Sequence, residues 1–177
     1  MKFQAKMSSV ERQRLIMEQL KAGDQTITAS EFARKTNVSR QVIVQDVSIL
    51  KAKNEPIIAT SRGYMLINRG KDDTNHRVIV CNHTPNQTLE ELQIIVDHGV
   101  TIKDVIVEHG VYGDLTASIM VSNRAEANQF VQKINDSNAS YLSTLTAGIH
   151  LHTLESDAMS KIEAACRALK AAGILIN

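Results

Sequence analysis

The sequence predicts an α+β fold in two parts: a helical unit with a β-hairpin over residues 1–70, then a mixed α/β sandwich over residues 71–177. Three observations carry this reading. Charge divides along the chain: residues 1–71 hold 13 Lys and Arg against 6 Asp and Glu, a balance of +7, and the remainder carries −6. Helical spacing dominates before that point, and β-prone runs alternate with helices after it. Residues 68–75 are polar with one glycine and read as a linker between the parts. A chain that is 43% hydrophobic and 22% charged is ordinary globular material. At 3% aromatics with no Trp, stacking platforms for single-stranded nucleic acid are not expected. No apolar run approaches the roughly 20 residues of a membrane span. Met1 to Lys6 leads into no apolar segment, and two cysteines make no disulfide framework. The expected location is the cytoplasm.

The elements of the basic part follow in order. Ser8 and Glu11 form a capping box that opens a helix to about residue 22, before Gly23. Ile16 and Leu20, four apart, give its buried side. Thr28 and Glu31 repeat the box before a short helix with Phe32 and Ala33 as core. Asn37 and Val38 make a tight turn, and Ser39 caps a third helix. Ile43, Val47 and Leu50 form an apolar stripe on it, whereas Gln41, Val44, Gln45 and Ser48 form a small, polar face suited to base edges. Two β-prone runs then flank Ser61-Arg62-Gly63, a hairpin with glycine in its turn.

Helix, helix, turn, helix, hairpin is the order of a winged helix-turn-helix. Residues 12–66 resemble the domain of that kind at the N-terminus of many bacterial repressors, and residues 37–47 resemble its turn and recognition helix. A major groove about 12 Å wide admits one such helix, and its N-terminal end reaches the bases. The candidate DNA-contacting residues are therefore Ser39, Arg40, Gln41 and Gln45, with Arg62 at the hairpin reaching phosphate or the minor groove. Lys51 and Lys53 have two readings, phosphate contacts or solvated charges. The partner is double-stranded DNA.

In the acidic part, residues 76–83 read as a strand ending at His83 and residues 87–98 as an amphipathic helix. Residues 101–109 and 117–121 read as strands and 124–136 as a helix. Residues 149–154 read as a strand, and 157–172 as the closing helix before Gly173. This irregular order favours an α+β sandwich over a doubly wound sheet. No dinucleotide fingerprint or P-loop is present.

The chemical signal is His150-Leu151-His152. Residues two apart in a strand share a face, so both imidazoles aim at one point, as two ligands of a divalent metal must. His83 offers a third imidazole. Glu91 lies on the flank of the helix stripe Leu89, Leu92, Ile95 and Val96 and can turn inward, whereas Glu90 lies opposite and stays solvated. Three imidazoles and a carboxylate suit zinc, nickel, iron or cobalt without choosing among them. Neither cysteine is invoked: Cys81 is expected on the face of its strand opposite His83, and Cys166 beside the apolar stripe of the last helix. His98 reads as a helix C-terminal cap, and His76 as an exposed strand residue. His109 and Tyr112 are each followed by a glycine, Gly110 and Gly113, and read as a wall of a ligand pocket or as a structural turn.

Residues 81–85, 109–113 and 145–152 together resemble the 3H domain, named for its histidines. A winged helix-turn-helix joined to a 3H domain is similar to the niacin-responsive transcriptional repressors (NiaR) over nearly the whole chain. One departure is Gly110, where that family would place proline. The resemblance implies a homodimeric repressor of NAD biosynthesis or niacin uptake genes, with nicotinic acid as co-repressor and an approximately palindromic operator. It also implies a divalent metal held by His83, Glu91, His150 and His152. A metal-dependent hydrolase with an accessory DNA-binding domain is the alternative. The sequence offers it no general base beyond Glu90, so the expectation is a regulator rather than an enzyme.

Overall fold

The computed structural model describes residues 7–67 and 73–176 and divides the chain into two compact units, Met1–Gly70 and Lys71–Asn177. The residues of the linker reading from 68 to 72, and the first six residues, lie outside those described.

The first unit contains α1 (Ser9–Ala22), α2 (Ala29–Thr36), α3 (Arg40–Ala52), β1 (Ile57–Thr60) and β2 (Gly63–Leu66). Both capping boxes form: Ser8 and Thr28 each accept from the backbone three residues on, and Glu11 and Glu31 accept in return. Asn37 ends α2 at φ 52°, a left-handed position that Asn tolerates. Ile16, Leu20, Phe32, Ile43, Val47 and Leu50 meet in one core. The hairpin pairs Ile57 with Leu66 through Thr60 with Gly63. Ile27 joins it as a third strand position, exchanging backbone hydrogen bonds with Tyr64. Gly63 is required there: at φ 135°, a Cβ would lie 2.8 Å from the Ile27 carbonyl.

A buried ion pair locks α1 to α3. Arg12 Nε donates to Asp46 Oδ2 at 2.6 Å, and Ser9 Oγ and Gln13 Nε2 donate to Asp46 Oδ1. Burial would push the Asp46 carboxyl up, but these donors hold it below its ordinary value.

The second unit contains β3 (Asn75–Asn82), α4 (Thr88–Asp97), β4 (Thr101–His109), β5 (Gly113–Val121), α5 (Arg124–Asp136), β6 (Ile149–Ser156) and α6 (Met159–Ala171). Its four strands form an antiparallel sheet in the order β3-β6-β4-β5. Ile79, Ile102 and Leu154 of the sheet pack against Leu92 and Ile95 of α4 and Ile162 and Leu169 of α6. The chain end covers β3: Asn82 N–H donates to the Ile174 carbonyl, and Ile176 N–H to that of Val80.

β5 begins at Gly113, four residues earlier than expected. Its first residues, among them Asp114 and Thr116, lack an apolar run but pair with the end of β4 as a hairpin. β6 continues to Ser156, and α6 starts at Met159 rather than at residue 157. The 142–146 segment is a short 3₁₀ turn. No helix among the described residues is long and apolar enough to cross a membrane.

Candidate metal centre

Two sequence features aim imidazoles at the helix layer. On β6, an interior strand of the sheet, His150, His152, Leu154 and Ser156 are buried and alternate with less buried neighbours. On β3, Ile79 and Cys81 share that inward face, and His83 continues it one residue past the strand end. Glu91, three residues into α4 from Thr88, is buried with 1% exposure.

These side chains converge. His83 Nε2 lies 2.7 Å from Glu91 Oε2, and His150 Nε2 lies 3.1 Å from Oε1. His152 Nε2 lies 3.2 Å from Oε1, off the direction of a hydrogen bond, and is left without a hydrogen-bond partner in a buried position. The His150 ring stands edge-on to both other rings, with centroids 4.8 Å apart in each case.

The far side of each ring is fixed by backbone. Nδ1 of His83 contacts the Thr84 carbonyl at 2.8 Å, that of His150 the Gly148 carbonyl at 2.8 Å, and that of His152 the Asp104 carbonyl at 2.6 Å. A carbonyl only accepts, so each Nδ1 carries a hydrogen and each ring turns its Nε2 toward Glu91, the nitrogen whose lone pair a metal would take in place of a proton. Metal-bound histidines are held in this way.

Electrostatics agree with the geometry. Burial pushes the Glu91 carboxyl up, yet the facing imidazoles, His152 foremost, hold it well below the usual carboxylate range. For His83 and His152 burial opposes the charged form, but Glu91 prevails and raises both above the ordinary imidazole value. A buried carboxylate facing three imidazole Nε2 atoms, one of them without a hydrogen-bond partner, is a cluster in which a metal cation can take the place of protons. The donor set therefore fits a divalent ion with N and O preference.

Cys81 corrects one expectation. Residues 81 and 83 are two apart, so they share a face rather than opposing one another. The Cys81 thiol lies with a Glu91 oxygen and a His150 nitrogen inside a 4.8 Å group. Burial, then the Glu91 charge, push its pKa far up, so it packs as a neutral thiol.

Two supports escaped sequence reading. Gly148, at φ 100°, lets the chain pass His83: a Cβ would sit 2.6 Å from the His83 carbonyl. Asp104 lies where the β4–β6 register shifts; its side chain accepts from Thr153 N–H at 2.8 Å while its carbonyl orients His152. A glycine before the first histidine was the only local signal.

A cavity of about 140 Å³ opens on the cluster, lined by His83, Glu91, His150 and His152 together with the apolar Leu92, Ile119 and Phe130. His109 and Tyr112 do not line it. They sit at the β4–β5 hairpin, where His109 Nδ1 accepts from the Val111 and Tyr112 N–H groups and Tyr112 is 76% exposed. His98 Nδ1 contacts the Ile94 carbonyl at the end of α4, and His76 is exposed on β3 beside the Thr74 hydroxyl.

In the first unit, Arg40, Gln41, Gln45 and Ser48 are exposed along α3 while Ile43, Val47 and Leu50 are buried. Ser39 is exposed, and its hydroxyl caps the helix by accepting from Val42 N–H. Val44 is half-buried against the core. Arg62 lies in the hairpin turn but is half-buried rather than fully projecting. Lys51 and Lys53 are exposed, and Lys53 Nζ donates to Gln13 Oε1.

Comparison with known proteins places this geometry. Residues 12–65 match a helix-turn-helix (HTH) domain, and residues 76–177 match the 3H domain. The chain is 52% identical over 174 residues to the transcription repressor NadR of Bacillus subtilis, covering 97% of each protein. It is 38% identical over 173 residues to the probable transcription repressor NiaR of Thermotoga maritima, covering 97% of this chain and 98% of that one. With both domains matched in order and the likeness running almost end to end, the chain belongs to the NadR/NiaR family of transcription repressors.

Proposed function

We propose that this chain is a DNA-binding repressor of genes for NAD biosynthesis or niacin uptake, that its second unit holds a divalent metal, and that nicotinic acid is its co-repressor. The observation that carries the sensor half is the convergence of His83, His150 and His152 on Glu91 inside a buried pocket. A bound ion would supply a fixed positive centre: with neutral imidazoles and one carboxylate, a divalent cation leaves a net charge of +1. In a largely apolar pocket that charge favours an anionic carboxylate over a neutral amide.

The DNA half rests on α3. Gln41 and Gln45 are the groups for adenine, and Arg40 for guanine, each through two hydrogen bonds. Ser39 sets the start of the helix, and Arg62 adds a backbone contact from the hairpin. The proposed active form is a homodimer on an approximately palindromic operator, with recognition helices about 34 Å apart. Nicotinic acid acts by binding one arrangement of the two DNA-binding units more tightly than the other. The relatives named above are transcription repressors, which favours this reading over a hydrolase.

The test is a gel shift on DNA upstream of the chain's own gene, with nicotinate, nicotinamide and a chelator varied separately at fixed salt. Nicotinate is expected to tighten binding and the chelator to abolish that gain. Equal affinity with and without nicotinate would overturn the co-repressor reading.

A further inference from the structure

The wall of the cavity carries two buried polar side-chain atoms without a hydrogen-bond partner: His152 Nε2 and Thr88 Oγ1. The first is accounted for by the metal reading. The second is not. Thr88 is 7% exposed and opens α4, three residues before Glu91, which puts both side chains on one face of the helix. The residue before it, Gln87, makes no side-chain cap, and the Thr88 hydroxyl does not replace it. A buried hydroxyl without a partner is costly, so one aimed into a cavity marks a place where a ligand completes the bonding.

The size and lining of the cavity define that ligand. At about 140 Å³ it matches the roughly 150 Å³ apolar cavity that accepts one benzene ring. Leu92, Ile119 and Phe130 offer apolar contact to the faces of such a ring, and polar side chains come from the His/Glu cluster, Thr88 and the 140–143 segment with Ser140, Tyr141 and Ser143.

We infer that the Thr88 hydroxyl is a ligand-contacting, specificity-determining group in a cavity for a single six-membered aromatic ring acid, donating to the acid while the His/Glu cluster fixes its charge. This rests on the effector reading proposed above. The hydroxyl also separates the metal function of the site from its ligand function, because Thr88 is not among the converging metal donors.

The experiment uses the full chain supplemented with zinc. Calorimetry measures nicotinate, nicotinamide and benzoate binding to the wild type, Thr88→Val and Thr88→Ser. Valine keeps the shape and removes the hydroxyl; serine keeps the hydroxyl. Metal content and melting midpoint are recorded for each. Thr88→Val is expected to bind zinc as the wild type does and to melt no lower, because it loses an unsatisfied buried group. Its nicotinate affinity is expected to fall by about ten-fold or more, the range for a hydrogen bond to a charged acceptor. Thr88→Ser is expected to recover most of that loss. Nicotinate affinity of Thr88→Val within two-fold of wild type overturns the inference and leaves the effector reading standing. So does a parallel loss of zinc and ligand that serine fails to rescue. A wild-type chain that binds none of the ring acids overturns the effector reading, and this inference with it.

Discussion

His150 Nε2 lies 3.1 Å from Glu91 Oε1, although 59 positions separate the two residues in the chain. The contact joins β6, an interior strand of the sheet, to the first turn of α4, so whatever occupies the cluster ties those two elements together. Glu91→Gln removes the charge at the focus of three imidazoles. It is expected to weaken divalent-metal binding by more than the roughly 10–100-fold that losing a supporting group costs. Equilibrium dialysis with zinc and nickel, followed by metal analysis, checks this; stoichiometric metal in the variant would count against the centre.

The same cluster gives opposite pH trends with and without metal. In the metal-free protein His83 and His152 have raised pKa values, so their contribution is complete below the ordinary imidazole value and is lost as pH rises through the folded-state values. Glu91 is depressed, so its contribution is lost only as pH falls well below the carboxylate range. Chelated protein is therefore expected to lose thermal stability as pH rises past neutrality. Metal competes with protons for the same lone pairs, so the stabilisation added by zinc is expected to grow over that interval. Melting curves from pH 5 to 9, with zinc and with chelator, read both slopes.

Gly148→Ala tests the backbone support. A Cβ there meets the His83 carbonyl at 2.6 Å and the Asn82 Oδ1 at 2.7 Å, and φ of 100° is strained for any L side chain. The expected result is a loss of about 1–3 kcal/mol in stability, with metal affinity reduced because His83 and the carbonyl that orients His150 both shift. Native metal affinity at native stability in this variant would contradict the support role.

Asp46→Ala should be the most damaging single change in the first unit. It leaves Arg12 buried without its partner, a loss of about 3–5 kcal/mol. Because the Asp46 pKa is depressed, its stabilisation is present above the ordinary Asp value and is lost as pH falls below it. Urea unfolding at pH 7 and pH 3.5 measures the difference, which should shrink at the lower pH.

On the reading helix, Gln41→Ala and Gln45→Ala are each expected to reduce operator affinity by about 1–3 kcal/mol and to relax the preference at one base position. Arg62→Ala should instead weaken binding to all sequences and reduce the salt dependence by about one counterion. Titrations of operator and scrambled DNA at two salt concentrations separate these outcomes.

The division into a helical part and a mixed part was legible in the sequence because its signals are local. Capping boxes at Ser8 and Thr28, the stripe of Ile43, Val47 and Leu50, and the alternation around His150 each depend on residues a few positions apart. The same locality let His83, Glu91, His150 and His152 be nominated together. It did not reveal the 113–116 half of β5, whose polar residues become a strand only by pairing with β4. Tertiary structure alone decided the rest: Asp46 buried under Arg12, Asp104 turning His152 from the neighbouring strand, the Cys81 thiol brought beside Glu91, and Thr88 left unpartnered in a cavity. Each depends on a group brought from another element. Periodicity reports which face a side chain occupies, but only packing determines what it meets there.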